Sequence, residues 1–398
     1  MSALPRLREP EPAHGRTSIY FGEEHEMLRE QVRRFVDQEV KPQGAAWEEA
    51  GHVPREVLRR MGELGLLGIR YPAEYGGSEL DTMATVVLAE ELGRSTFSGL
   101  AVTVLVHTDM ASVHVAHAGS AAQKRAHMAD IVAGRKICAV AVTEPGAGSD
   151  VKGIRTRARR DGSDYVIDGS KIYITNGVLA DLYCVAAKTG AEGDRPSRSV
   201  SMFLVEKGTP GLRVGRALDK HGWRSSDTAE LFFEDCRVPA SSLLGEEGQG
   251  FYAIMRNFQN ERVVIGAMAM GEAQAAIDLT LDWLTTRHAF GSPLWDKGAV
   301  RQKLALLQTK VEAGRQLVYH AAWLDTQGRD ATREVSMAKA YCGELVNEVM
   351  YACLQFHGGL GFMRESTIER MARDARVQTI GGGATEVMLE EVAKRMGR

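Results

Sequence analysis

From about Phe21 to Lys136 the apolar positions recur every three or four residues. Met27, Leu28, Val32, Phe35 and Val36 stand in a charged background, and Val57, Leu58, Met61, Leu64 and Leu67 repeat the spacing. That period puts one apolar face on each helix. Pro72 and Gly76-Gly77 close the stretch, and Leu88 to Leu92 and Val102 to Val106 continue it with more buried character. At Ile137 the pattern changes to short apolar runs. Ile137 to Val142 reads as a buried strand ending in a glycine-rich turn, and Arg155 to Arg159 before Asp161-Gly162 as another. Tyr165 to Ile167 before Asp168-Gly169, Ile172 to Ile174 before Asn176-Gly177, Leu182 to Val185, Met202 to Val205 and Leu231 to Phe233 follow. Runs bounded by turn residues predict strands. Helical patterns do not alternate with them, which argues against a doubly wound parallel sheet and for a small antiparallel barrel or sandwich. From Gly248 the helical period returns in four stretches, Gly250 to Arg287, Val300 to Gln327, Ala331 to Gln355, and Ala384 to the end. The expected architecture is α+β. It has a polar tail (1–18), an N-terminal α-helical domain (19–136), a central antiparallel β domain (137–246) and a C-terminal four-helix bundle (247–398).

Composition narrows the function. Among 398 residues, 49 Lys+Arg against 52 Asp+Glu leave a net charge of -3, which gives no electrostatic case for nucleic acid or an anionic membrane. No uninterrupted apolar run approaches the roughly 20 residues of a membrane span. The five cysteines are scattered and form no CxxC pair, so neither a disulfide framework nor a metal cluster is expected. Met1 to Ser18 has no apolar core and does not read as a secretory signal. These features predict a soluble, cytoplasmic protein.

Five segments carry candidate chemistry. Thr143 to Asp150 follows a strand and holds Gly146, Gly148 and Ser149, but no helix opens after it, so a dinucleotide fingerprint is excluded. Its backbone N–H groups and the Ser149 hydroxyl suit a phosphate, and a plain structural turn is the competing reading. Phe251, Ile254, Phe258 and Ile265 define one helix face, and Glu261 lies near it, three residues after Phe258. Desolvation there raises a carboxylate's pKa and suits it to take a proton, while a buried ion pair is the alternative. Arg287 to Gly291 closes the same helix, with Arg287 facing its dipole and Gly291 as a cap. Gln355 to Phe362 sets three glycines within four residues, and Ile380 to Glu386 opens a helix with bare backbone. The first suggests close approach of another group to the backbone, the second suits a ligand oxygen, and a flexible linker is the competing reading of the second.

Taken in order, these segments resemble the acyl-CoA dehydrogenase family over nearly the whole chain. The likeness shows in Thr143 to Asp150, Ser170 to Gly177, Gly222-Trp223-Arg224, Asp227-Thr228, Arg237-Val238-Pro239, Leu244-Gly245 and Arg287 to Gly291. It also shows from Gln355 through Gly361, Glu365 and Arg370 to Asp374. The resemblance implies a homotetramer, a dimer of dimers, with one FAD per subunit. It places Thr143 and Thr175 against the flavin, Tyr173 over the ring, Ser149 at the pyrophosphate and Glu386 at the cofactor. Arg287, Phe290, Gln355, Gly358 and Gly359 fall where a partner subunit grips the cofactor. The implied reaction is α,β-desaturation of an acyl-CoA thioester, with electron-transfer flavoprotein as acceptor.

The family usually carries its catalytic glutamate where this chain has Gly382. The isovaleryl and long-chain branches instead place it on a bundle helix before an arginine, where Glu261-Arg262 stands here. The resemblance therefore makes Glu261 the base and the Gly382 N–H the donor to the thioester carbonyl, with Phe258, Arg262 and Gly381 against the substrate. Gly381 in place of a common tyrosine opens space for branched or bulky acyl groups, whereas Asp227 to Phe251 is closer to the long-chain branch. Gly298 and Ala384 replace a glutamine and a threonine near the cofactor. An acyl-CoA oxidase or flavin monooxygenase on the same fold, and a non-catalytic acyl-CoA- or flavin-binding protein, remain the alternatives.

Overall fold

The computed structural model describes residues 18–190 and 195–397, so the tail expected over 1–18 lies outside it except for Ser18. Seven helices come first: α1 (Glu23–Phe35), α2 (Gly44–Ala50), α3 (Arg55–Glu63), α4 (Thr82–Gly93), α5 (Ser98–Leu105), α6 (Ser112–Ala118) and α7 (Ala121–Val132). Eight strands follow: β1 (Cys138–Ala141), β2 (Arg157–Asp161), β3 (Asp164–Thr175), β4 (Leu182–Lys188), β5 (Val200–Glu206), β6 (Leu212–Ala217), β7 (Thr228–Pro239) and β8 (Leu243–Leu244). The chain then forms α8 (Gly250–Thr286), β9 (His288–Ala289), β10 (Ser292–Pro293), α9 (Gly298–Thr326), α10 (Thr332–His357), α11 (Thr367–Ala375) and α12 (Thr385–Ala393).

The two helical zones share one core. Leu28, Val32 and Phe35 of α1 and nearly all of α4 join Val263 to Ala276 of α8 and the inner faces of α9 and α10. Glycine permits the closest of these contacts. A Cβ on Gly271 would lie 2.0 Å from the Glu90 carbonyl oxygen, and one on Gly93 would lie 2.3 Å from that of Met268, so α4 and α8 touch backbone to backbone. Ser98–Ala118 and Gly250–Thr286 have the length and apolarity of membrane spans, but 94% and 83% of their most apolar windows are buried in the fold. They are core helices.

The β domain is one sheet in the order β6-β7-β3-β2-β4-β5-β8, with β1 also on β4. Most ladders are antiparallel as expected, but β1 and β2 each pair with β4 in parallel. The chain between β1 and β4 is long enough, with its glycine loop and β2–β3 hairpin, to return in the same direction. Asp168-Gly169 is not a turn between two strands. β3 runs through it as a bulge, with the register shifting between Ile167 and Gly169 and Gly169 at φ +147°. A second irregularity between Lys171 and Ile174 puts Tyr173 at φ +59° and leaves it 66% exposed.

Gly291 does not cap α8. The helix stops at Thr286, Arg287 is already extended, and β9 and β10 form a small hairpin. Phe290 (φ +52°) and Gly291 (φ +80°) make its two-residue turn. Positive φ at both positions is what a type I′ turn demands.

Candidate active site

Three separate segments converge around Glu261. α8 presents its carboxylate half-buried, with the Arg262 guanidinium 5.5 Å over the Phe258 ring. Opposite, the chain after α11 runs through a 3₁₀ turn (Arg376–Thr379) into three glycines before α12. Gly382 and Gly383 take φ of +66° and +99°, which only glycine adopts without strain. A Cβ on Gly382 would sit 3.5 Å from Glu261 Oε1 and 2.3 Å from Ile265 Cδ1, and one on Gly383 would sit 3.6 Å from Arg262 Nε. The two candidate positions for a base, on α8 and in the glycine turn, therefore address the same space. Gly381 is partly exposed, and a Cβ there would meet Val377 at ordinary contact distance (3.7 Å).

Desolvation pushes the Glu261 carboxyl up to about 7, against the opposing pull of Arg262 and Lys339. At neutral pH such a group exchanges a proton readily, as a general base must. Burial likewise lowers Arg262 from the usual guanidinium value, and its buried Nε has no hydrogen-bond partner in the chain. An unpartnered donor at that position suits an external acceptor.

The second cluster lies where β1 runs out. The Ile172 N–H donates to the Thr143 carbonyl (3.0 Å), which ties the glycine loop to the stretch of β3 holding Tyr173 and Thr175. Beneath the loop the fully buried Lys171 donates to the Glu144 carboxylate (2.8 Å) and to the Val142 carbonyl (3.0 Å). The Thr156 N–H (3.0 Å) and the Arg155 N–H complete the carboxylate's shell. Burial acts to raise Glu144, but Lys171 and these donors outweigh it and hold the carboxyl below its usual range. The same burial lowers Lys171 to about 8. The loop is rigid below and open above: Cβ atoms on Gly146 and Gly148 would meet nothing, and Ser149 is exposed.

A third cluster lies at the far end of the bundle. Trp283 joins the ends of α8 and α10: its ring stacks on His357 (5.2 Å), its Nε1 donates to the Phe356 carbonyl (3.0 Å), and the Arg287 guanidinium lies 5.8 Å from it. Gln355, Gly358 and Gly359 are exposed beside it, and Phe290 is 97% exposed. The 25 residues from Glu261 to Thr286 span about 38 Å of helix, and Arg287 lies just beyond. Within one chain the structure thus separates Arg287, Phe290, Gln355, Gly358 and Gly359 from Glu261, while Glu386 sits exposed on the first turn of α12.

An open glycine loop anchored from beneath, and a large exposed aromatic side chain at positive φ, fit a bound group with an anionic and a planar portion. Among the described residues no three His, Cys, Asp or Glu side chains are placed to hold a metal. Sequence reasoning passed over Glu144, Lys171 and Lys339 as functional residues. The place of Lys339 on the apolar stripe of Val335, Cys342 and Val346 is readable from sequence, but its partners are not.

A carboxylate with a raised pKa opposite bare backbone is the layout of a proton-abstracting enzyme. Family models for the acyl-CoA dehydrogenase N-terminal, middle and C-terminal domains match residues 22–135, 139–236 and 248–397. The chain is 42% identical to the long-chain specific acyl-CoA dehydrogenase of Sus scrofa mitochondria, over 94% of this chain and 87% of that one. It is 34% identical to the mitochondrial isovaleryl-CoA dehydrogenase of Pongo abelii, over 92% and 86%. A crystal structure of an acyl-CoA dehydrogenase from Geobacillus kaustophilus, 39% identical, superposes with a TM-score of 0.93 over 96% of this chain and all of that one. The chain belongs to the acyl-CoA dehydrogenase family, whose members are oxidoreductases with FAD as cofactor.

Proposed function

We propose that this protein is a FAD-dependent dehydrogenase of long-chain or branched acyl-CoA thioesters, producing the trans-2-enoyl-CoA. Glu261 removes the α-proton. The Gly382 N–H donates to the thioester carbonyl and stabilises the charge that develops there. Phe258, Arg262 and Gly381 line the space the acyl group enters. Thr143, Ser149, Tyr173 and Thr175 hold FAD on the β domain, with Glu386 nearby. FAD supplies the acceptor for the β-hydrogen. Electron-transfer flavoprotein is the onward acceptor.

The observation that carries this reading is the juxtaposition of Glu261 Oε1 and the Gly382 backbone, 3.5 Å from where a side chain there would begin. A glutamate on the bundle helix thus serves the space that a glutamate at position 382 would serve. The long helix supports an oligomer in which subunits share sites, and the family resemblance makes it a homotetramer. Arg287, Phe290, Gln355, Gly358 and Gly359 are too distant from their own Glu261 to share its FAD, so they complete the site of a neighbouring subunit. The higher identity to the long-chain relative than to the isovaleryl one favours a long acyl chain.

The test is Glu261→Gln in the holoenzyme. The variant is expected to keep FAD and bind acyl-CoA while turnover falls by roughly 10²–10⁴-fold. Anaerobic titration with straight and branched acyl-CoAs then identifies the substrate class by which one bleaches the flavin band. Wild-type rates in the variant would remove Glu261 from the mechanism.

A further inference from the structure

Beside the Glu261 carboxylate, α10 buries a cation that the proposed chemistry leaves unused. Lys339 is 1% exposed, and its Nζ donates to the carbonyls of Gln378 (2.7 Å) and Gly383 (2.6 Å). Those carbonyls bracket the segment that contains Gly382. The same face of α10 continues the attachment one and two turns on. Gly343 gives the turn room, since a Cβ there would lie 2.8 Å from the Gln378 oxygen, and Asn347 Nδ2 donates to the Ala375 carbonyl (3.1 Å). From α8 the buried Glu272 accepts a hydrogen bond from the Gln378 side chain. Glu272 lies 11 residues after Glu261, about three turns, so both carboxylates share a stripe of α8. The glycine turn is held between two helices, and Lys339 joins Arg262 as a positive charge that acts on Glu261.

Burying an ammonium is costly, and here the cost is offset by its two carbonyl partners, which a methionine would leave without a donor. Holding the turn needs only a neutral donor, so the positive charge is the part of the lysine that the two hydrogen bonds leave unexplained. The charged groups acting on it are Glu261 and Arg262 from α8 and Glu344 from its own helix. Arg262 in turn is influenced by Glu391 and Arg395 at the end of the chain.

We infer that Lys339 is a positioning residue for the dehydrogenation. It ties down both ends of the glycine turn so that the Gly382 N–H meets the thioester carbonyl, and its ammonium favours the ionised form of the Glu261 carboxylate. The inference rests on the proposed role of Glu261. The direction of the charge effect follows from the site: Lys339 lowers the proton affinity of Glu261, so removing the ammonium raises it.

The experiment compares the wild-type holoenzyme with Lys339→Met, Lys339→Gln and Lys339→Arg, with Glu261→Gln as the blank. The readouts are the acid limb of the pH–kcat profile and an infrared titration of the Glu261 carboxyl. Lys339→Met is expected to retain FAD, to lose kcat at pH 7 by roughly tenfold or more with KM little changed, and to move the acid limb upward by about one unit. Lys339→Gln keeps N–H donors for the carbonyls and is expected to show the same upward limb with a smaller loss in kcat. Lys339→Arg keeps the charge and is expected to hold the limb at the wild-type position. An unmoved limb in both neutral variants overturns the inference. So does failure of both to yield folded holoenzyme when Lys339→Arg folds normally, because Lys339 is then a brace for the fold alone. Should Glu261→Gln retain turnover, the proposed function fails first, and that outcome is distinct from either.

Discussion

At Gly382 the proposed function gives the backbone a task that a side chain performs in many active sites. Its φ of +66° lies in the left-handed region, and the space beyond its Cα belongs to Ile265 and Glu261. Alanine there meets two penalties: a left-handed β-carbon, at about 1–2 kcal/mol, and a methyl 2.3 Å from Ile265 Cδ1. The methyl also stands in front of the carboxylate. Gly382→Ala is expected to fold and keep FAD but to lose kcat/KM by roughly 10–100-fold, since small misplacements at the reacting atoms are costly. Steady-state kinetics beside the flavin spectrum check this, and unchanged kcat/KM would exclude the Gly382 backbone from the site. Glu261 itself was legible from sequence, because helical period alone placed it by Phe258. Its partner Lys339 was not identified, because a lysine on an apolar stripe acquires meaning only when the carbonyls of Gln378 and Gly383 arrive from forty residues away.

Among the elements, α8 does most of the organising. Its middle, from Arg262 to Ala273, is buried all round, because α4, α9 and α10 surround it. The contact with α4 depends on glycine, and Gly271 is the tightest point. A methyl there would overlap the Glu90 carbonyl oxygen at 2.0 Å, an atom fixed in a helix and unable to turn aside. Gly271→Ala is therefore expected to destabilise the fold by about 1–3 kcal/mol or more despite the better helix propensity of alanine. Chemical denaturation of the holoenzyme measures it, and a stabilised variant would contradict the backbone contact. Sequence patterning located α8, α9 and α10 to within a few residues. It misread Gly291 as the cap of α8, since Phe290-Gly291 resembles a helix stop and is in fact a hairpin turn.

Across the whole molecule, buried titratable groups set the response to pH. Burial raises Glu261 to about 7, Asp374 to about 7 and Glu272 to about 8, whereas it lowers His107 and His114 to about 4. A carboxyl with a raised folded pKa binds its proton more tightly in the native state, so stability falls as pH rises from its unfolded value through its folded one. The buried histidines act oppositely up to their unfolded value near 6.5, and the two sets offset each other below it. Above pH 6.5 the carboxyls dominate until the buried Lys171, Lys220 and Lys339, each lowered to about 8, begin to act oppositely. Thermal stability is expected to decline from pH 6.5 to about 7.5, and Glu272→Gln is expected to flatten that decline. Melting curves across the range test this, and a rise over the same interval would contradict it.

The sequence by itself determined the kind and order of the elements, helices then strands then helices. Hydrophobic period is a local property of the chain and needs no partner to be read. It also marked Glu261 and the glycine-rich segments, since residue type and spacing carry that information. Only the tertiary structure decided that the two helical zones form one core. It alone showed that β1 and β2 run parallel to β4, and that Asp168-Gly169 is a bulge within a single strand. It also decided that residues 261, 339 and 382 face one another, while Arg287 and Phe290 lie past the far end of α8, about 38 Å of helix from Glu261 to Thr286. Each of these depends on which distant segments pack together, and that is settled by shape and buried contact across the whole chain.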